Sequence, residues 1–399
     1  MKEKMTTEEL IALSDRCIMA TYKRFPIVLT RGLGVHVWDS DGKSYLDLVG
    51  GIAVCALGHS HPRVVGAIKR QVELLTHVSN LYHIEPQIRL ARLLVENSCA
   101  DKVFFCNSGA EANEAAIKLA RKYATDHMEG RYELIAMQDS FHGRTLATVT
   151  ATGQERFKAG FNPLPAGFRH VPYNDLAALE AAVMEKTCGV MVEPIQGESG
   201  VVIPAPGYLR GIRKICDERG LLMIVDEVQT GIGRTGTLFA CEQEDVAPDM
   251  ITIAKALGNG FPIGALLATD RIAAAFVPGS HGSTFGGNPL ATAAGIATLE
   301  TILGEGVLEN CRKMGDYFLK RLGDLKEKHA RIREVRGRGL ILAVELTVSG
   351  AEFVLQSMER GLLINCTNGN ILRFVPPLIL TRIDVDRAIG ILDEVLEER

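Results

Sequence analysis

The sequence predicts an α/β protein: a mostly parallel central sheet in a large domain, with a small α+β domain formed from both termini. Three observations carry that expectation. Between about residues 62 and 290, short apolar β-rich runs alternate with amphipathic helical stretches, the pattern of a sheet covered on both faces. Outside that span the pattern changes, to short strands and turns before it and to helices followed by strands after it. The chain has 399 residues, 47% of them hydrophobic, enough to bury a sizeable core and to form more than one domain. The expected division is 1–61 as an N-terminal segment packing with the small domain, 62–290 as the large domain and 291–399 as the C-terminal small domain.

Taken in order, Gly32 to Leu48 alternates β-prone residues with a turn at Asp41-Gly42, which reads as a small antiparallel piece. Val103 to Cys106 reads as a buried strand leading straight into a helix from Gly109 to about Thr125. Leu134–Met137, Gly189–Glu193, Leu221–Asp226, Met250–Lys255 and Ala265–Ala268 read as further strands, with a helix over Gly207–Arg219. Helices are expected over Pro289 to about Leu303 and Gly306 to about Lys328. Strands then follow at Leu340–Leu346, Leu362–Asn365 and Ile371–Phe374, and a closing helix begins near Asp384.

Charge is close to balance, at -4. No basic or acidic excess points to nucleic acid or to an anionic membrane. A small charged metabolite suits this balance better than a polyanion. Nine cysteines are scattered with no C-x-x-C pair, so reduced thiols in a cytoplasmic protein are expected rather than a disulfide framework. The charged start MKEKMTTEEL does not fit the apolar core of a signal peptide. No apolar run approaches the roughly 20 residues of a membrane helix.

Four segments carry chemistry. Asn107-Ser108-Gly109-Ala110-Glu111 follows a strand and opens a helix. Ser108 and Glu111 have capping-box spacing, and a helix start with a glycine can hold a phosphate on free N–H groups. An ordinary capped helix would look the same. Leu222 to Gly236 is an apolar strand ending in Asp226-Glu227 and followed by Gly231-x-Gly233-x-x-Gly236. A nucleotide-hydrolase reading fails for want of a G-x-x-x-x-G-K-[ST] loop. A dinucleotide reading suffers from the five-residue step from Asp226 to Gly231 and from the poor helix former that follows. The remaining reading is an acid, Asp226, at the carboxyl end of a strand and facing a crevice. Ile251 to Pro262 places Lys255 at the end of an apolar run before a Gly-rich loop. A lysine held in an apolar crevice has a lowered pKa and becomes nucleophilic, although a snorkelling lysine fits the same pattern. Ser140 to Thr145 sets Phe141 beside Arg144, an aromatic face next to a guanidinium suited to a carboxylate.

Other residues invite a role and are read as structural. His59 and His61 lack a nearby third ligand, so no metal site is expected. His142 is read as structural because Lys255 already supplies a base. Cys106 is read as core.

In order along nearly the whole chain, GIAVCALGHSHP, FFCNSGAEANEAAIKLAR, FHGRT, VEPIQGESG, DEVQTGIGRTG, AKALGNGFPIGA and HGSTFGGNPL resemble the landmarks of the class-III (ω-amino) aminotransferases of pyridoxal-phosphate fold type I. That resemblance implies a homodimer with shared active sites and pyridoxal 5'-phosphate as cofactor. It implies that Lys255 holds the cofactor as a Schiff base and then acts as general base. Asp226 would pair with the pyridine nitrogen and Gln229 would lie near the phenolic oxygen. Val228 and Phe141 would flank the ring. Ser108, Gly109 and Ala110 would bind the phosphate, joined by Thr284 from the second subunit. For substrate it implies Arg144 on the α-carboxylate, Ser283 from the second subunit, and Arg373 on the α-carboxylate of 2-oxoglutarate. Glu198 would be a switch that masks Arg373, and Tyr22 a further substrate contact.

Within the family, GIAVCALGHSHP and HVSNLYHIEP most resemble the branch acting on N2-acetyl-L-ornithine. The implied reaction moves its δ-amine to 2-oxoglutarate, giving N-acetyl-L-glutamate 5-semialdehyde and L-glutamate, as in arginine biosynthesis. Ornithine, succinylornithine, 4-aminobutyrate and N-succinyl-diaminopimelate are alternative amines. A glutamate-1-semialdehyde aminomutase is an alternative on the same fold, and a nicotinamide-dependent oxidoreductase one of a different class.

Overall fold

The computed structural model describes residues 5–398. Residues 1–4 of the charged start lie outside the described residues. Strands β1 (Leu29–Leu33), β2 (His36–Asp39) and β3 (Ser44–Asp47) form the expected antiparallel piece. Its turn is closed by Asp39, whose Oδ1 accepts from the Asp41 and Lys43 amides at 3.0 and 2.9 Å.

The central sheet holds β4 (Lys102–Cys106), β5 (Glu133–Met137), β6 (Phe168–Val171), β7 (Thr187–Val192), β8 (Leu222–Asp226), β9 (Met250–Ile253) and β10 (Gly264–Ala268), in the order β4-β10-β9-β8-β7-β5-β6. Six strands run one way, and β10 alone is antiparallel to its neighbours β4 and β9. The sheet is therefore mostly parallel, as expected. β7, β8, β9 and β10 are buried along their whole length, which is why they read as unbroken apolar runs. Helices Gly109–His127 and Tyr208–Arg219 pack against this sheet. The first uses an alanine-rich face, with Ala112, Ala116 and Ala120 fully buried, so helix and sheet approach closely.

The chain closes with β11 (Ile332–Arg338), β12 (Ile341–Leu346), β13 (Leu362–Leu363), β14 (Asn365–Thr367) and β15 (Ile371–Phe374), and with helix Arg382–Glu397. β11, β12, β15 and β14 form one antiparallel sheet. β13 instead pairs in parallel with β3, Leu362 opposite Leu46, so a C-terminal segment completes the N-terminal sheet.

Three expectations are corrected. The single strand expected at Leu362–Asn365 is two strands in two different sheets, with Ile364 buried between them. Lys255 is not on β9, which ends at Ile253. It opens a short 3-10 turn with φ +42°, a left-handed backbone that no strand supplies. At Ser108 only half of the capping box forms: Ser108 Oγ accepts from the Glu111 amide at 3.2 Å, but the Glu111 carboxylate takes the Asn107 amide instead of the Ser108 amide. Among the described residues, no helix is long and apolar enough to cross a membrane.

Candidate active site

The carboxyl ends of β8 and β9 and the start of helix Gly109–His127 open onto one cavity of about 420 Å³. Ser108, Gly109, Ala110, Phe141, Arg144, Asp226, Val228, Gln229 and Lys255 all line it. Residues from four separate stretches of sequence thus meet at one crevice, the position open α/β sheets favour for ligands.

Asp226 forms the floor and is 3% exposed. Its Oδ2 accepts from His142 Nδ1 at 2.7 Å and from Asn113 Nδ2 at 2.8 Å, and its Oδ1 accepts from the Val228 amide at 3.0 Å. Asn113 is fixed in turn by Thr252, whose Oγ1 donates to Asn113 Oδ1 at 2.7 Å, and by the His142 carbonyl at 2.7 Å. The carboxylate is therefore held by three donors in one orientation. Sequence reasoning missed Asn113 and assigned His142 only a structural place. The available signal was an asparagine on the buried face of an alanine-rich helix, which is costly without a partner.

Lys255 lines the wall. Burial pushes its ammonium below the ordinary lysine range, Glu198, Asp226 and Glu193 oppose that, and Arg373 adds to it. Glu193, also missed, is 5% exposed and accepts from the Phe141 amide at 2.9 Å. Burial, helped by repulsion from Asp226, raises its carboxyl well above the usual range.

Behind Gln229 lies an ion pair. Arg373 Nη1 donates to Glu198 Oε1 at 2.7 Å and to the Gly197 carbonyl at 3.1 Å, and Gln229 Nε2 donates to Glu198 Oε1 at 3.2 Å. Burial alone would raise the Glu198 carboxyl, but Arg373 and Lys255 outweigh that and leave it lowered. Glu198 and Arg373 thus adjoin the cavity through Gln229.

At the mouth, the Arg144 guanidinium lies 3.9 Å from the Phe157 ring centroid and 5.5 Å from that of Phe141. The two rings meet edge to face at 5.6 Å. Gly109 also has a steric reason to be glycine. A Cβ there would lie 2.7 Å from Val228 Cγ1, so the glycine lets the helix start pack on the turn after Asp226. Within this single chain, Ser283 and Thr284 line a separate recess with Asn107 and Glu111, and Tyr22 is 74% exposed and outside the cavity lining. His59 bonds Asp47 at 2.8 Å.

The cavity fits a flat aromatic ring bearing an anion. The helix start offers N–H groups without intrahelical partners, Phe141 and Val228 give apolar faces, Asp226 gives a fixed negative charge and Lys255 an amine.

Comparison with known proteins agrees with the geometry. Residues 18–396 match the family described as aminotransferase class-III. The chain is 55% identical to the acetylornithine aminotransferase of Caldanaerobacter subterraneus subsp. tengcongensis, over 98% of this chain and 99% of the relative. Its fold superposes with a TM-score of 0.96 on the ornithine aminotransferase from Toxoplasma gondii ME49, at 35% identity over 100% of this chain and 97% of that one. For the N-acetylornithine aminotransferase from Stenotrophomonas maltophilia K279a the values are 0.84 and 38%, over 97% and 98%. A family match across nearly the whole length, together with a buried acid and a desolvated lysine on one crevice, makes this chain a member of the class-III aminotransferases, enzymes that depend on pyridoxal 5'-phosphate.

Proposed function

We propose that this aminotransferase takes the δ-amine of N2-acetyl-L-ornithine and delivers it to 2-oxoglutarate, producing N-acetyl-L-glutamate 5-semialdehyde and L-glutamate in the cytoplasm. The observation that carries the reading is the Glu198–Arg373 pair beside Lys255. One site must serve an amine donor and a dicarboxylate acceptor in turn, and a guanidinium that an adjacent carboxylate can mask suits both. High identity to acetylornithine aminotransferases over almost the full chain supports the choice of amine.

When bound, pyridoxal 5'-phosphate supplies an electron sink for charge that develops on the substrate carbon. The chain's residues do the rest. Gly109 and Ala110, with Ser108, receive the phosphate at the helix start. Asp226, held by His142 and Asn113, keeps a proton on the pyridine nitrogen. Lys255 Nζ removes and returns the proton at the carbon bearing the amine, and its desolvated state favours the neutral form a base needs. Arg144 orients the α-carboxylate of the amine substrate. With Glu198 turned away, Arg373 binds the α-carboxylate of 2-oxoglutarate in two-pronged fashion. A homodimer, in which Ser283 and Thr284 of the second copy complete the cavity, belongs to this reading.

The backbone likeness to an ornithine aminotransferase favours free ornithine as the second reading, with Tyr22 as a contact to its carboxylate. A single-turnover visible spectrum of the cofactor-loaded enzyme separates them. N2-acetyl-L-ornithine, L-ornithine and 4-aminobutyrate are mixed in turn without keto acid. Fastest bleaching by acetylornithine, restored by 2-oxoglutarate, supports the proposal. Faster bleaching by another amine removes the substrate assignment, and no bleaching by any of them removes the reading.

A further inference from the structure

Arg144 lines the cavity and is exposed. Among the described residues its guanidinium meets no carboxylate, and its neighbours are two aromatic rings. A long exposed side chain samples many rotamers, and an anion that binds it must offset the loss of that freedom. The backbone here is already fixed. Gly143 has φ +141°, and a Cβ there would lie 2.5 Å from Thr148 Oγ1 and 2.9 Å from Ala110 Cβ. The residue before Arg144 therefore packs directly against the helix start that lines the cavity.

The side chain is held from a second segment. Helix Leu146–Ala151 turns the chain back, and the residues after it are laced onto those before Arg144. Thr152 Oγ1 accepts from the His142 amide at 2.9 Å, and the Gly153 amide donates to Ser140 Oγ at 3.0 Å. Gln154, 7% exposed, donates through Nε2 to the Asp139 and Ser140 carbonyls at 3.1 and 3.3 Å. The 3-10 turn Glu155–Phe157 follows at once, and it sets the Phe157 ring centroid 3.9 Å from the Arg144 guanidinium carbon. The ring is fixed in turn, by the edge-to-face contact with Phe141 and by Arg156, whose guanidinium carbon lies 4.7 Å from its centroid and whose Nη2 donates to Gln154 Oε1 at 2.7 Å. Phe157 itself does not line the cavity.

We propose that Phe157 is a positioning residue for the amine substrate, its ring face holding the Arg144 guanidinium at the cavity mouth where the substrate's α-carboxylate arrives. The inference rests on the proposed function, which gives Arg144 that carboxylate. The negative face of an aromatic ring attracts a cation. Unlike a carboxylate, it does so without neutralising the charge or consuming the planar set of N–H donors, which stay free for two-pronged binding. The substrate thus meets a guanidinium already ordered.

The test is steady-state kinetics of the full-length, cofactor-loaded enzyme with N2-acetyl-L-ornithine at saturating 2-oxoglutarate. In Phe157→Leu, kcat/KM falls about three- to tenfold, the range of one cation–π contact, and the loss lies in KM rather than kcat. Phe157→Tyr keeps an aromatic face and retains most of the activity. Arg144→Met loses more, and adding Phe157→Leu to it changes kcat/KM by less than about twofold, since no guanidinium is left to hold. If Phe157→Leu does not fold, pentafluorophenylalanine in place of Phe157 keeps the shape but removes the negative ring face, and the same rise in KM is expected. Equal losses from Phe157→Leu with and without Arg144 would place the effect on Phe141 or on the fold and overturn the inference. So would an unchanged Phe157→Leu beside a large loss in Arg144→Met, which leaves the proposed function intact. An unchanged Arg144→Met removes the carboxylate assignment itself, and the inference with it.

Discussion

Arg373 and Glu198 form an ion pair across 2.7 Å in which the arginine side chain is 1% exposed and the glutamate 24%. Arg373 is held on β15 between β12 and β14, whereas the more exposed Glu198 sits in the connection after β7. Under the proposed function, Glu198 is therefore the side that would turn away.

The first prediction separates the half-reactions. Glu198→Ala leaves Arg373 unmasked, so the amine half-reaction slows about tenfold or more while 2-oxoglutarate still reacts. Arg373→Lys loses the two-pronged grip, and kcat/KM for 2-oxoglutarate falls about 10- to 100-fold, the value of a charged hydrogen bond of roughly 1.5–3 kcal/mol. Stopped-flow traces of each half-reaction read both. Equal losses in both half-reactions for either variant contradict a switch.

The second concerns Asp226. His142→Phe removes one of the two side-chain donors on Oδ2 and keeps an aromatic ring in a fully buried space. The carboxylate loses its fixed direction, and kcat/KM drops about 10- to 100-fold with weaker cofactor retention, as for other residues that orient a site's acid. Asn113→Ala acts in the same sense and also frees the Thr252 hydroxyl. Kinetics together with cofactor dissociation measured by dialysis check it; unchanged retention in both variants would falsify the positioning role.

Much of this site is legible in the sequence because its chemistry lies at strand ends. Asp226 closes an apolar run buried on both faces, and Ser108 follows another strand directly, so periodicity and caps locate both. Lys255 was legible in identity but not in geometry, since its φ of +42° comes from the tight turn between β9 and the loop, and local propensity carries no trace of it. Leu362–Asn365 failed for a similar reason. Its residues are uniformly β-prone, and only the long-range pairing of Leu362 with Leu46 and of Asn365 with Arg373 divides them. Glu193 and Asn113 were missed because a polar residue at a strand end or on a buried helix face declares its partners, here the Phe141 amide and Asp226, only in three dimensions.

The third prediction tests the packing behind Gln229. A Cβ on Gly197 would lie 2.1 Å from Gln229 Oε1, and Gln229 is 6% exposed with little room to retreat. Gly197→Ala displaces the amide, breaks its bond to Glu198 and destabilises the fold by about 1–3 kcal/mol, as overpacked sites do. Adding Gln229→Ala relieves the clash, so the double variant is more stable than the two single effects summed. Thermal melts of the four proteins give the coupling; additive losses would mean the contact is absent.

The fourth is a pH effect on a group outside the cavity. Glu227 is 1% exposed, its Oε1 accepts from the Cys241 amide at 2.9 Å and its Oε2 accepts from the Thr230 hydroxyl. Burial raises its carboxyl to about 7 against the opposing pull of these donors. For an acid whose pKa is higher folded than unfolded, the folded state binds more protons. Its contribution to stability is complete below the unfolded value near 4.5 and is lost as pH rises through about 7. Glu227→Gln keeps the shape and an acceptor for the Cys241 amide but does not titrate. The variant therefore gains on the wild type between pH 5 and pH 8, by a few kcal/mol at most on the scale of about 1.4 kcal/mol per pKa unit. Denaturant unfolding of both proteins at the two pH values measures this. A difference that stays constant, or that shrinks toward pH 8, means that Glu227 is already ionised at pH 5 and that its two donors outweigh its burial.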